Sequence, residues 1–319
     1  MGSKKLINVR KSTQKSISEL YKEYLNYCIS IGQTDGTIVS KTSYFKFTLN
    51  KIVNVEGNIS TFTQDKLEKH IIMMRKNKYS SNYIQGVVIK SKAFLTWCFN
   101  HQYIEKFKIK IPQATQKKKT VYTEEELKKL LKKPNLKTCL VGTYKNWVTV
   151  NTLLGTGCRA ETLLNILVKD VDFINSTILF RHMKMHKQIS VPLSPTLSSV
   201  LREYIQLLDF KQDDFLFPKL NKKKMSYDTL HQNISIFCKH RNIQMRGINT
   251  FRNTFATLFI KNGNNNIYLL QKLLGHSDIR MTERYINLLP CQMAEDINKY
   301  NPLDVLNQQR LSIKRGGKQ

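Results

Sequence analysis

Acidic residues are scarce in this chain: 23 Asp and Glu stand against 52 Lys and Arg, a formal charge of +29 at pH 7. An excess that large, spread along the whole length, repels itself unless a polyanion accepts it, and nucleic acid is the usual acceptor. A merely lysine-rich composition, of the ribosome-like or AT-biased kind, is the plainer alternative. Cysteine pairs are missing too. The six cysteines (Cys28, Cys98, Cys139, Cys158, Cys238 and Cys291) lie far apart with no CxxC, so neither a zinc site nor a disulfide framework is suggested and reduced thiols fit best. The opening MGSKKLINVR has no apolar leader and no run approaches a membrane span, so no membrane partner is expected and the placement reads as cytoplasmic. Neither GxxxxGK[ST] nor GxGxxG occurs, so no nucleotide-cradling loop is expected. There is no HExxH and no acidic cluster able to hold two metal ions. His182 and His186 stand four apart, but in a predicted hairpin loop that spacing does not align them. No cofactor and no metal are expected.

What is present is the pattern of a folded chain, 41% hydrophobic and 24% charged over 319 residues, enough for two domains. In ISELYKEYLNYCI (17–29), Ile17, Leu20, Tyr21, Tyr24, Leu25, Cys28 and Ile29 recur at helical spacing. Similar patterns cover 36–53, 64–76 and 81–100, the last with Tyr83, Val87, Phe94, Leu95 and Cys98 facing one way. KIPQATQKKKT (110–120) then loses the periodicity, gains Pro112 and stacks three lysines, as a linker does. A second unit opens with a capping box, Thr123 with Glu126. VDFINSTILF and QISVPLS, around an Asn-Ser turn and a polar RHMKMHK loop, predict a short antiparallel sheet. Helical periodicity returns after Pro195. The expected architecture is mainly α: a helical domain over 1–109, a basic linker over 110–120, and an α-rich domain with a small antiparallel β-sheet over 121–319.

The candidate chemistry is a set of cations around a tyrosine. A phenol, with a pKa of about 10, is a poor nucleophile at neutral pH, and attack on a phosphodiester adds negative charge to the phosphate. Without a metal, fixed donors must meet that charge, and arginine suits the task because its planar fork grips two oxygens and keeps its charge. Arg159 in LLGTGCRAETLLNI and Arg252 in NTFRNTFATLF each interrupt or open an apolar helical stretch, where a lone charge is costly. Taken singly, each has a bland reading: a structural ion pair for the arginines, a solvated loop residue for Lys184, core packing for Tyr285. His276 after Leu-Gly has one as well, a cationic imidazole closing a helix C-terminus.

In combination, these stretches resemble the tyrosine recombinase (phage integrase) family, the Xer-like and Cre-like site-specific recombinases. TGCR followed by LLNILVKDVDF looks like the first arginine box, NTFRNTFATLFIKNG like the second, and LLGHSDIRMTERY like the last, with His276 and Tyr285 nine residues apart. KMHKQISVPL resembles the family's β-hairpin and puts Lys184 where its catalytic lysine sits, with Lys187 as a rival. The resemblance spans nearly the whole chain. It implies a helical, SAM-like core-binding domain before a catalytic domain, and a site made of Arg159, Lys184, Asn249, Arg252, His276 and Tyr285.

The resemblance also implies roles. Tyr285 would attack the scissile phosphate to form a 3′-phosphotyrosyl bond without ATP or metal. Arg159 and Arg252 would hold the non-bridging oxygens, Lys184 would protonate the departing 5′ oxygen, and His276 would bond the phosphate or tune the tyrosine. Two positions depart from the pattern: Asn249 stands where the family usually has histidine, and Thr162 where an acidic residue is common, with Glu161 one step early. The implied partner is double-stranded DNA carrying a specific site, bound by a homotetramer on two sites, with an accessory directionality protein as a further candidate and a bacterial, nucleoid-associated location. LLPCQMAEDINKYNPLDVL after Tyr285 has apolar residues at helical spacing suited to packing on a neighbouring protomer, and RLSIKRGGKQ reads as a basic tail. No arm-binding domain is expected before the first helix, unlike lambda-type integrases. A type IB topoisomerase-like enzyme and a catalytically impaired DNA-binding protein are the alternatives.

Overall fold

In a computed structural model the described residues are 15–114, 119–181, 188–219, 221–261 and 266–286, with the side chains of 284 and 286 excepted. Lys184, Lys187, the His182 and His186 pair, and the segments 288–306 and 310–319 lie outside them. The chain divides into two compact units, Met1–Lys117 and Lys118–Gln319.

The first unit is helical: α1 (Ile17–Ser30), α2 (Asp35–Tyr44), the short α3 (Asn50–Ile52), α4 (Gln64–Lys76) and α5 (Ser81–Asn100). α1 starts at a capping box in which Ser16 accepts from Glu19 N while the Glu19 carboxylate accepts from Ser16 N, satisfying two otherwise orphan donors. The expected helix over 36–53 is present as a continuous helical run from Asp35 to Ile52, but a π-helical turn, Phe45–Leu49, lies within it, so α2 and α3 carry different hydrogen-bond registers. The buried face of α5 also differs from the expected one. Ile84 points inward with Val87, Phe94, Leu95 and Cys98, whereas Tyr83 is 48% exposed and stacks on Tyr79 with ring centroids 5.2 Å apart. The core gathers Tyr21, Tyr24, Tyr44, Phe94 and Trp97 with aliphatic residues of every helix.

The second unit opens at α6 (Glu124–Leu131), capped as expected by Thr123 and Glu126. α7 (Val141–Thr156) runs through the core, followed by the short α8 (Ala160–Leu164). β1 (Val171–Asp172), β2 (Thr177–Phe180) and β3 (Ile189–Pro192) form an antiparallel sheet in the order β1-β2-β3. α9 (Pro195–Leu207), α10 (Tyr227–Lys239), α11 (Asn249–Lys261), α12 (Ile267–Leu274) and α13 (Arg280–Ile286) complete it. The chain is therefore mainly α with one small sheet. Among the described residues no helix is long and apolar enough to cross a membrane.

One large apolar core joins α6, α7, the sheet, α9, α10 and the start of α11. A smaller, separate cluster holds Ala256, Ile260, Leu270, Leu274 and Tyr285. Its spacing on α11 is informative: Arg252, Ala256 and Ile260 repeat every four residues, so one stripe is charged at its N-terminal end and apolar beyond.

The entry to this unit is tied down by polar contacts. Arg246 donates to both Glu126 oxygens, at 2.8 and 2.6 Å, a bidentate pair that holds the Glu126 carboxyl below its usual pKa. Tyr122 N donates to Thr254 Oγ1 at 3.0 Å. Replacing Thr123 by Ala removes the acceptor for Glu126 N and should lower stability by ~1 kcal/mol, read as a lower urea midpoint at unchanged slope. A shift as small as that of an exposed lysine variant would mean that the cap does not hold α6.

Candidate active site

The site is built where three helix ends meet. α7 terminates at Gly157 in the left-handed conformation, φ +62°, and a Cβ there would stand 2.4 Å from Phe255 Cδ1 on α11. Only glycine lets the end of α7 approach so closely. Two residues later Arg159 is the N-cap of α8, so it opens a helix and does not interrupt one.

Arg252, on the first turn of α11, is 6% exposed. Its Nη1 donates to the Gly157 carbonyl and its Nη2 to the Leu274 carbonyl, both at 2.9 Å. These are the C-terminal ends of α7 and α12, where orphan carbonyls and the negative pole of the helix dipole suit a cation. Nη2 also donates to His276 Nε2 at 2.6 Å.

That contact fixes the histidine tautomer. A guanidinium only donates, so Nε2 accepts and the proton sits on Nδ1, which donates to Thr282 Oγ1 at 2.8 Å. Burial, then Arg252, Arg159 and Lys119, push the His276 pKa down to about 3. The cationic helix-closing histidine open from the sequence is therefore corrected: Gly275 is the left-handed C-cap of α12, and His276 is a neutral ring inside a cluster of cations.

Tyr285 lies parallel to that ring, with centroids 6.4 Å apart. It is 2% exposed, and its hydroxyl donates to Asn253 Oδ1 at 3.3 Å. Thr282 and Tyr285 are three apart on α13 and share a face, so the histidine's acceptor and the tyrosine are presented together. Lys119 Nζ stands 3.5 Å from the Tyr285 ring centroid.

The arginines carry the same signature. Burial, with Arg159 nearby, pushes Arg252 down to about 10, and Tyr285 works against that shift. Arg159 is lowered by burial and raised by Tyr285, and its Nη1 is buried without a hydrogen-bond partner among the described residues. None of the groups that shift Arg159, Arg252 or His276 is a carboxylate. Buried donors and charges of one sign without a counterion are expensive, and an oxyanion bound among them would relieve that cost.

The structure thus brings Arg159, Arg252, His276 and Tyr285 together. Asn249 begins α11 as an exposed residue. Glu161 turns to Lys224 at 3.4 Å with its side chain 70% exposed, and Thr162 is buried. Three participants escaped the sequence reading: Thr282, Asn253 and Lys119. The acceptor that a buried imidazole needs could have suggested Thr282; nothing in the sequence marks the other two.

Residues 120–290 match the phage integrase family. The chain is 29% identical over 280 residues to tyrosine recombinase XerA of Saccharolobus solfataricus, covering 85% of this chain and 89% of that protein. It is 26% identical over 255 residues to tyrosine recombinase XerD of Staphylococcus saprophyticus, covering 77% and 85%. In fold it is similar to the Tn1549 transposon integrase in complex with circular intermediate DNA (TM-score 0.69, 18% identity, 85% of this chain and 95% of that one). A lambda integrase dimer bound to a core site gives a TM-score of 0.67 at 13% identity, covering 83% and 97%.

A His276 pKa held far below its ordinary 6.5 has a signed consequence. Between those values the unfolded chain takes up a proton that the folded one refuses, so the native state loses stability as pH falls through the window. His276→Gln lacks this contribution. Its urea midpoint should drop less than that of the wild type between pH 7 and pH 5, and an equal drop would show that the folded imidazole is free to protonate.

Proposed function

The chain belongs to the phage integrase family, and from that premise we propose that its own cluster carries out strand cleavage and rejoining in site-specific recombination, with Tyr285 as nucleophile. The chain is a tyrosine recombinase, a DNA strand-transferring enzyme. The observation that supports the residue assignment is a tyrosine hydroxyl surrounded by Arg159, Arg252 and neutral His276, a buried positive cluster whose shifts involve no carboxylate.

The substrate is duplex DNA. Its scissile phosphate enters between the two guanidinium groups, which meet the charge that grows on the non-bridging oxygens during attack. Tyr285 Oη bonds to phosphorus as the bond to the 5′ oxygen breaks. Lys184 gives a proton to that oxygen, and a 3′-phosphotyrosyl ester remains, conserving the ester bond without ATP. Rejoining reverses the step, with the 5′-hydroxyl of another strand as nucleophile and the tyrosine as leaving group. The phenolic proton goes to water. Asn249 and Asn253 are amides that cannot take it, and His276 Nε2 already accepts from Arg252.

Residues 1–109 serve as the core-binding domain, 110–120 as the basic linker and 121–319 as the catalytic domain. With a charge of +29, affinity comes largely from phosphate contacts and falls steeply with salt. Exchange of two strand pairs requires four protomers on two sites, passing through a Holliday junction. This mode suits integration, excision or resolution of a mobile element or replicon inside a bacterial cell. An accessory protein would set the direction.

Two outcomes test the assignment. Tyr285→Phe should bind nicked duplexes tiled across the DNA flanking the gene as the wild type does, yet form no SDS-resistant adduct; an adduct that survives in the variant moves the nucleophile elsewhere. Lys184→Ala should slow cleavage at least a hundredfold on ordinary DNA, within the range of general acid catalysis, and regain most of the rate when the leaving 5′ oxygen is replaced by sulfur, which departs unprotonated. If Lys187→Ala shows that rescue and Lys184→Ala does not, the roles of the two lysines are exchanged.

A further inference from the structure

Tyr285 is gripped by more than its own helix. Its ring carries the Lys119 ammonium on one face, 3.5 Å from the centroid, close enough for a strong cation–π contact in a half-buried place. Its hydroxyl donates to Asn253 Oδ1 at 3.3 Å, and Asn253 Nδ2 donates to the Thr120 carbonyl at 3.5 Å. The carbonyl can only accept, so this second contact settles which way the amide points and leaves Oδ1 toward the tyrosine. Lys119 and Thr120 are consecutive residues at the start of the catalytic unit. Ring and hydroxyl are thus both held, directly or through one amide, by the same two residues of the entering chain.

The two residues that follow them are themselves fixed, one on α11 and one on the segment just before it. Tyr122 N donates to Thr254 Oγ1 at 3.0 Å, and the Val121 carbonyl accepts from Arg246 Nη1 at 3.5 Å. Arg246 in turn is locked to Glu126. Lys119 also reaches the rest of the cluster, since it helps to hold the His276 imidazole neutral.

Resting on the reading of Tyr285 as nucleophile, we propose that Lys119 and Asn253 are positioning residues for it, so that the end of the interdomain linker is part of the cleavage machinery. Asn253 takes the O–H proton as a hydrogen bond, which turns the oxygen's lone pairs away from the amide. Lys119 fixes the plane of the ring by its charge. Neither residue accepts or donates a proton in the reaction; both set the direction from which the oxygen attacks, and misalignment of a reacting atom by about 1 Å can cost a hundredfold in rate.

The test separates this role from an ordinary phosphate contact and from a packing role. Wild type, Lys119→Met, Lys119→Arg, Asn253→Ala and Asn253→Asp are labelled with 3-fluorotyrosine, and the Tyr285 resonance is identified by its loss in Tyr285→Phe. Each protein is then mixed at saturating concentration with the nicked duplex tile on which the wild type forms its adduct. The expected result is a shifted Tyr285 resonance in Lys119→Met and Asn253→Ala before any DNA is added. Adduct formation by both should be at least tenfold slower at saturation, with DNA affinity changed less than threefold. Lys119→Arg, which keeps a cation over the ring, and Asn253→Asp, which keeps an acceptor, should recover to within about threefold of the wild type.

The proposal is overturned if the resonance does not move, or if Lys119→Met weakens binding with a shallower salt dependence while the saturated rate is unchanged, the behaviour of a phosphate contact. It is equally overturned if arginine and methionine at position 119 are indistinguishable. If the resonance shifts but the wild type forms no adduct on any tile, the nucleophile assignment fails and with it the positioning role, whereas the packing contact stands.

Discussion

The cluster at the ends of α7, α11 and α12 depends on one guanidinium. Arg252 is almost wholly buried, yet it meets no carboxylate in its hydrogen bonds; it is held by the carbonyl ends of α7 and α12 and by a histidine nitrogen. Each contact fixes something else. The bond to Gly157 sets the turn from which Arg159 projects, the bond to Leu274 sets the end of α12, and the bond to His276 fixes its tautomer. The imidazole passes that constraint through Nδ1 to Thr282, one turn before Tyr285. A single buried cation therefore registers three helix ends against one another, and removing it would leave two carbonyls and an imidazole nitrogen without their donor.

The same arrangement explains why the site is electrostatically one-sided. A stable protein interior ordinarily balances a buried charge with an opposite one. Here burial lowers Arg159, Arg252 and His276 alike, and the remaining influences come from one another, from Lys119, from Cys158 and from Tyr285. The site keeps its histidine neutral and its arginines charged, and no carboxylate is among the groups that shift them.

Much of this was legible before the fold was known. The face of α1 from Ile17 to Cys28, the helix α4, the capping box at Thr123 and the antiparallel hairpin follow from spacing and turn residues that act locally, although Ile29, read on the same face, is 57% exposed in the last turn of α1. The π-helical turn at Phe45–Leu49 did not, because apolar periodicity reports which face is buried and is blind to a change of hydrogen-bond register. Tyr83 was misread because a residue near a helix start can turn to a surface partner, here Tyr79. At the site, Arg159, Arg252, His276 and Tyr285 were recognisable from their boxes. Thr282 lies in the same segment as His276 and Tyr285 and is a local partner, whereas Asn253 and Lys119 reach Tyr285 only because distant segments meet, and KKKT in a linker looks like any solvated basic run. Lys184 lies outside the described residues, so its role rests on the family pattern.

The apolar residues around Tyr285 form a cluster of their own, Ala256, Ile260, Leu270 and Leu274, apart from the large core that joins α7 to the sheet and α9. Cooperative stability is shared only through contacts, and a satellite this small can open at far lower free energy than the whole domain. The helix that bears the tyrosine is therefore held by this small apolar cluster and a few polar links, outside the large core. Its departure from the pocket would leave the bonds from Arg252 to Gly157 and Leu274 in place, so the tyrosine helix and the arginine framework are mechanically separable.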